Sequence, residues 1–577
     1  MTSTRHAAGY AVLLVSALLT TASTVRVAAQ TPSASAISAT DFAAMTWRAI
    51  EPSSADGATA PVDVRHASVD AAFPYRICGV DANEDGFCVS SRGNDAGETA
   101  SVEAIPISRP GQLIADPQEP DLIYGGALSR YDRRTGQVQL IGPRDVGADR
   151  TVVAFSTDGR TIYAAGRGVW KSTNSGLDWT AIGSSTSGAV GLAVSRLDSR
   201  LVWLAARDGT VRLTHDGGTT WSAPVSVVLP GGTIATIEAS HFDPNSAYVV
   251  VSRSPSGAHI LRTRDAGATW QPIVAGLDRA SAVFVMREDP SRRGMLFAGT
   301  DQSIFVSFDD GETWQAWRSN LPQTSVRDVV IRESAMIAAT GGRGLWVLDD
   351  IAPLRQLTPA IANAPAFLFR PSPAWRMRGT ASAASREDAI APDDAASLFY
   401  WIGAETIAGP ASLEIIETAT ADVIRRFDLT NGGGTSPGLH RIAWDLRYAP
   451  PSNSPEDRGP RVLPSTYQVR LTVNGRPLRQ AIVVRMDPRM RVAPADLAAQ
   501  LTLARNLSTA IGTLDQRLPD LDASQRAVAN DVLSALRDVA RRVLETDARP
   551  TPRLDANAAI AIARASAIVT PVTVSSQ

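Results

Sequence analysis

Three residue types that much enzyme chemistry depends on are scarce: 577 residues hold two cysteines, one lysine and six histidines. Two thiols, Cys78 and Cys88, cannot build a thiolate metal centre. The histidines are scattered, without the i, i+4 pairing of a helical metal motif. Lys171 is the only lysine, and 56 basic residues against 58 acidic ones leave a net charge of −2. That balance gives no electrostatic footprint for nucleic acid or anionic lipid. Long hydrophobic runs are missing too. The run at 11–19 (AVLLVSALL) falls well short of the roughly 20 apolar residues that span a bilayer, so no integral membrane segment is expected. No G-x-S-x-G elbow, phosphate loop or dinucleotide fingerprint is present, and neither a cofactor nor a metal is expected.

What is present reads as a globular chain of two or three domains: 44% hydrophobic, 20% charged, rich in Gly and Pro. Arg5, the apolar run at 11–19 and the small residues Val27-Ala28-Ala29 form a secretory signal over 1–29, which predicts a secreted or periplasmic protein. Cys78 and Cys88 flank Asn83-Glu84-Asp85-Gly86, a turn sequence. A hairpin would bring the two thiols together, and an exported compartment would oxidise them to a disulfide.

One eight-residue pattern, S/T-x-D/N-x-G-x-x-W, occurs four times. The copies are Ser172, Asn174, Gly176, Trp179; Thr214, Asp216, Gly218, Trp221; Thr263, Asp265, Gly267, Trp270; and Ser307, Asp309, Gly311, Trp314. Their offsets of 42, 49 and 44 residues match one four-stranded propeller blade. The pattern is an Asp box, a turn motif. The acid or amide oxygen caps backbone N–H groups, the hydroxyl adds a local bond, Gly takes a positive φ, and Trp anchors the turn in the blade. Each position thus has a structural role and none needs a ligand.

The same rhythm without the full motif runs through 113–136, 237–252, 284–300 and 326–357. Counting units predicts an all-β fold, a seven-bladed Asp-box β-propeller over 45–357. The segment 45–50 (MTWRAI) supplies a stray outer strand that closes the ring on the last blade. A Pro/Ala/Ser-rich connector is expected over 358–397, an Ig-like β-sandwich over 398–489 with an Asn474-Gly475 hairpin turn, and a helical hairpin and tail over 494–568.

The Asp boxes resemble those of sialidases, sortilin-type receptors and xyloglucan-active glycoside hydrolases. The whole arrangement resembles exported bacterial sortilin-like or glycosyl-hydrolase-like (BNR repeat) propeller proteins. The resemblance is carried by 74–79 (PYRICG), 113–126, 130–137, 344–357, 440–448, 466–475 and 484–490. It implies the propeller followed by an Ig-like domain, and it implies no particular reaction. Xyloglucan enzymes use a cleft between two propellers, whereas this chain holds one. Sialidases open with Arg-Ile-Pro, whereas Arg76-Ile77 is followed by Cys78.

A ligand is expected at the mouth opposite the Asp boxes, among turns that join the second and third strands and turns between blades. Those turns carry Asp81, Glu84, Asp85, Arg144, Asp149, Arg150, Arg167, Arg207, Asp208, Arg253, Asp278, Arg279, Asp301, Arg327 and Arg343. Arg167, Arg207, Arg253 and Arg343 recur at equivalent places and would form a cationic rim for carboxylate or sulfate groups. Asp208, Asp278 and Asp301 are the candidates for paired catalytic carboxylates. The expectation is a propeller that binds a protein or glycan without catalysis. The alternative is a glycoside hydrolase or lyase.

Overall fold

The computed structural model describes residues 42, 44–50, 63–69, 76–94, 97–143, 151–184, 187–228, 232–252, 259–278, 281–377, 395–404, 409–430, 433–487 and 490–569. The expected signal segment 1–29 lies outside these residues, as do Arg144, Asp149, Arg150, Arg253 and Arg279.

Seven antiparallel four-stranded sheets follow one another along the chain. Six are built from consecutive strands, beginning with Val64–Val69, Arg76–Asp81, Gly86–Asn94 and Gly97–Ile105. The seventh takes its inner three strands from Val326–Arg332, Ala335–Thr340 and Leu345–Leu348 and its outer strand from Arg48–Ile50. Arg48 pairs with Val347 and Ile50 with Leu345, so the first strand locks onto the last blade and closes the ring. The Arg48 guanidinium adds an ion pair to Asp349 at 2.8 Å.

Each Asp box is built as its residue types require, with the hydroxyl more central than its weak intrinsic bonding suggests. Ser172, Thr214, Thr263 and Ser307 each accept the N–H of the box glycine at 2.9–3.0 Å and donate to the box acid or amide. That oxygen in turn accepts the N–H of the residue before Trp, at 2.9 Å for Asn174 and 2.8 Å for Asp216, Asp265 and Asp309. Every box glycine has a left-handed φ, +85° at Gly311, and a Cβ there would lie 2.5 Å from Ile273 of the preceding blade. The indoles of Trp221 and Trp314 donate to the carbonyls of Ile182 and Ile273, stapling neighbouring blades.

Cys78 and Cys88 sit directly opposite each other on the first hairpin and are disulfide-bonded, buried among Val80, Ile105, Leu113 and Tyr131.

After the last blade, helices α1 (Ala352–Gln356) and α2 (Pro359–Ala362) lead into a two-sheet β-sandwich. One sheet holds Ala366–Leu368, Ala396–Ile402 and Gly438–Trp444. The other holds Ala374–Arg376, Arg476–Met486, Ser465–Val473, Ala411–Glu417 and Val423–Asp428. Two of these strands fall inside the expected connector 358–397. Three residues each, between prolines, are too few to leave a readable alternation. Asn474 and Gly475 both have positive φ, as the hairpin turn demands.

Helices α3 (Pro494–Arg517), α4 (Ala523–Leu544) and α5 (Pro552–Val569) share one apolar core. Asp522 and Gln525 form a capping box on α4. The bundle is fixed to the sandwich by Arg376, 2% exposed, whose guanidinium reaches Asp547 at 2.6 Å. The sandwich is fixed to the propeller by a common core in which Trp317, Phe297 and Met336 meet Phe369, Phe399 and Trp401. Propeller, sandwich and helices belong to one unit, Ile37–Gln577, and among the described residues no helix is long and apolar enough to cross a membrane.

Candidate functional site

Seven sheets around an axis leave a lumen lined by their innermost strands. Here every inner strand contributes to one cavity of about 870 Å³. These strands are largely apolar, so the charges among them stand out. Those that line the cavity are Arg65 and His66 in blade 1, Glu238 in blade 5, Arg287 in blade 6, and Arg327 and Asp328 in blade 7.

A repeated backbone device aims some of them inward. Five inner strands slip register near their start, leaving Arg65, Val190, Ala235, Phe284 and Arg327 unpaired with the neighbouring strand. An extra residue of this kind turns its side chain away from the regular alternation, and all five line the cavity. Three blades use the position for an apolar side chain. Blades 7 and 1, neighbours at the ring closure, use it for arginine.

Beside these bulges lies a charge network spanning four blades. His66 Nδ1 lies 2.6 Å from Asp328 Oδ2, and Arg287 reaches Asp328 Oδ1 at 2.9 Å and Glu238 Oε2 at 3.3 Å. The N–H groups of Ala67 and Val329 also donate to Asp328. Burial pushes the Asp328 carboxyl up, but Arg287 and His66 outweigh it and hold it below the usual carboxylate range. Burial wins at Glu238, whose pKa is raised although Arg287 and Arg196 pull it back. His241 lies 3.5 Å from Glu238, yet burial and Arg196 drive its pKa down to about 3, so it is a neutral imidazole. Both deep carboxylates are therefore committed to Arg287 and histidine.

Other cations on the lumen lie beyond ion-pair distance of a described carboxylate, although Arg196 still acts on Glu238. Among the described residues no carboxylate forms an ion pair with Arg65, Arg196, Arg207 or Arg327. Arg327 lies over the Phe284 ring, 4.5 Å from its centroid. In an up-and-down blade, the start of the inner strand and the turn between strands two and three share one end, opposite the Asp box. Arg65, Arg207 and Arg327 are thus at the mouth away from the Asp boxes, and Arg196 is at the other.

Of the arginines expected to recur around the rim, Arg207 lines the cavity. Arg167 and Arg343 are exposed on their turns and are not among the lining residues, and Arg253 is outside the described residues. Glu84 and Arg327, also expected at this mouth, do line it. Asp208, Asp278 and Asp301 are exposed and lie outside the lining. Asp208 caps its own turn, accepting from the Thr210 N–H at 3.1 Å and hydroxyl at 2.7 Å, bonds that lower its pKa. The carboxylates that face the lumen are Glu84, Glu238 and Asp328 instead. No group of three or more His, Cys, Asp or Glu among the described residues could hold a metal ion.

No family model matches the chain, and no curated protein matches it in sequence. Among solved structures it is similar to YCF48 bound to a D1 peptide, at 12% identity over 52% of this chain and 94% of that one, with a TM-score of 0.38. YCF48 from Cyanidioschyzon merolae gives 13% identity over 52% of this chain and 97% of that one, also with a TM-score of 0.38. The extracellular domain of BT3049 from B. thetaiotaomicron matches at 12% identity over 77% of this chain and 58% of that one, with a TM-score of 0.38.

Proposed function

We propose that this chain is an exported propeller module that binds the anionic groups of a protein or glycan ligand in its central lumen. One observation carries the reading: three guanidiniums with no carboxylate ion pair among the described residues, Arg65, Arg207 and Arg327, open on one mouth of a cavity whose two deep carboxylates are already engaged by Arg287. In a chain of net charge −2 that local excess of cations is not a by-product of composition. Membership among the sortilin-like, BNR-type Asp-box propellers is part of the reading, supported by the four boxes and the sandwich that follows them. Secretion or periplasmic residence by a cleaved signal peptide is supported by the 1–29 pattern and by a disulfide, which persists in oxidising compartments.

A glycoside hydrolase or lyase is the second reading. Its one favouring observation is that two lumen carboxylates, Glu238 and Asp328, have proton affinities moved in opposite directions. A panel of carboxylated, sulfated and neutral polysaccharides, scored for binding and for product release, tests both. Wild type is compared with Arg65→Ala/Arg327→Ala and with Asp301→Ala. Salt-sensitive binding of acidic polymers, lost in the arginine variant without product release, is expected. Equal binding of neutral polymers would contradict the first reading, and released product would favour the second.

A further inference from the structure

The inner strands divide the lumen into two unlike halves. Those of blades 2, 3 and 4, Leu113–Ala115 (LIA), Val152–Phe155 (VVAF) and Ala189–Val194 (AVGLAV), hold no charge. Those of blades 5, 6, 7 and 1 each hold at least one, with Glu238, Arg287, Asp328 and His66 among them. The division is sharpest at one level. Ile114, Ala154, Ala193, Glu238 and Arg287 each pair with an aromatic residue of the second strand, Tyr124, Tyr163, Trp203, Tyr248 and Phe297 in turn. The shared register puts all five at one height, and all five line the cavity. Three consecutive blades present apolar side chains there, and the next two present an acid and a base.

Val152 and Val190 extend the apolar side toward the mouth opposite the Asp boxes. Among the described residues, the polar side chains that blades 2, 3 and 4 give to the cavity stand at its ends. Gln112, Thr151 and Arg207 are at that mouth, and Arg196 is at the other. The charged side is occupied with itself, since Arg287 holds Glu238 and Asp328, and Asp328 also holds His66. At the mouth the arginines face one another across the ring. Arg65 and Arg327 belong to the adjacent blades 1 and 7, and Arg207 to blade 4, three blades away in either direction. An entering ligand meets cations around the mouth and, below them, one wall whose side chains offer no hydrogen bond.

We infer that the ligand of the lumen is an acidic peptide segment with apolar side chains: its carboxylates meet Arg65, Arg207 and Arg327 at the mouth, and its apolar side chains lie on the wall of blades 2 to 4. A cavity of about 870 Å³ is the size of a small-ligand site and encloses a few residues, not a folded partner. Apolar side chains leave water for such a wall at a gain. A sugar ring does not. Its hydroxyls radiate around it, and those turned to Ile114, Val152, Ala154, Val190 and Ala193 give up water for side chains that neither donate nor accept. An extended peptide sends successive side chains to opposite sides, so acidic and apolar groups separate as the two halves of the lumen do.

The inference rests on the anionic-ligand reading of the lumen, and the test separates the two. Three probes with three carboxylates each are titrated calorimetrically: an end-blocked pentapeptide alternating glutamate with leucine, its counterpart with serine for leucine, and trigalacturonate. Wild type is expected to bind the leucine peptide about tenfold more tightly than either of the others. The near-isosteric triple variant Val152→Thr/Ala154→Ser/Ala193→Ser makes the wall polar and brings the leucine peptide down to the affinity of the serine peptide. Melting curves verify that it is folded, and Val190→Asn, at the mouth end of the same wall, takes its place if it is not. Binding of the serine peptide or of trigalacturonate by wild type as tight as that of the leucine peptide overturns the peptide inference alone. So does a leucine preference that survives the polar wall. Failure of every acidic probe to bind overturns the anionic lumen and the peptide inference with it.

Discussion

The imidazole Nδ1 of His66, in the first blade, lies 2.6 Å from Oδ2 of Asp328, in the last. The ring is therefore closed twice, at its rim by the strand Arg48–Ile50 and at its axis by this pair. Asp328 is 3% exposed and also receives Arg287 and two backbone N–H groups. Asp328→Ala leaves the Arg287 cation short of its main partner in a buried setting, a change that typically costs about 3–5 kcal/mol. The expected outcome is a clear fall in the urea midpoint of the propeller, read by tryptophan fluorescence.

Glu288 gives the stability a predictable pH dependence. The side chain is 2% exposed, accepts the His241 N–H at 2.5 Å, and is raised by burial from 4.5 to about 7. An acid with a raised folded pKa binds its proton more tightly folded than unfolded. Its stabilising contribution is thus complete below the unfolded pKa and is lost as pH rises through the folded one. Glu288→Gln removes that loss. Above pH 7 the variant is expected to exceed wild type by on the order of 1–3 kcal/mol, with the gap closing toward pH 4.5. Denaturation midpoints across that range check it.

Gly311 lies on the Asp-box face, away from the cationic mouth. Gly311→Ala combines a left-handed φ of +85° with a 2.5 Å approach to Ile273. A stability loss of about 1–3 kcal/mol is expected, with ligand affinity in the folded protein unchanged. Melting and binding measured on the same sample separate the two effects.

The Cys78–Cys88 bridge crosses adjacent strands of blade 1 under an apolar cover, with Cys88 0% exposed. Replacing both by Ser removes the cross-link and leaves hydroxyls among Val80, Ile105 and Leu113. A loss of about 2–3 kcal/mol is expected for a loop this short, and intact-mass measurement of the native protein should find no free thiol.

Features confined to a few neighbouring residues were readable in advance. The Asp boxes, the Cys78–Cys88 hairpin and the Asn474-Gly475 turn each hold their physical cause within about a dozen residues, and the spacing of the boxes set the blade count. The closing strand at Arg48–Ile50 was readable because seven blades with one strand short need a donor. The lumen was not. The lining charges come from five of the seven blades, scattered along the chain, and what aims Arg65 and Arg327 inward is a bulge, which alternation does not reveal. Attention to turns therefore found Arg207, Glu84 and Arg327 but passed over Arg65, His66, Glu238, Arg287 and Asp328. A signal was present. Val64-Arg65-His66 and Val326-Arg327-Asp328 open equivalent inner strands with adjacent charges, where the other blades place apolar or small residues.

The central claim is that unpaired arginines at the mouth opposite the Asp boxes hold an anionic ligand. It is tested most directly by the affinity of wild type and of Arg65→Ala/Arg207→Ala/Arg327→Ala for one acidic polysaccharide at fixed ionic strength. Three lost charge-assisted contacts should weaken binding by about a hundredfold or more, while the melting temperature stays close to that of wild type. Equal affinity of the two proteins, or no binding by wild type to any acidic polymer, would contradict the account.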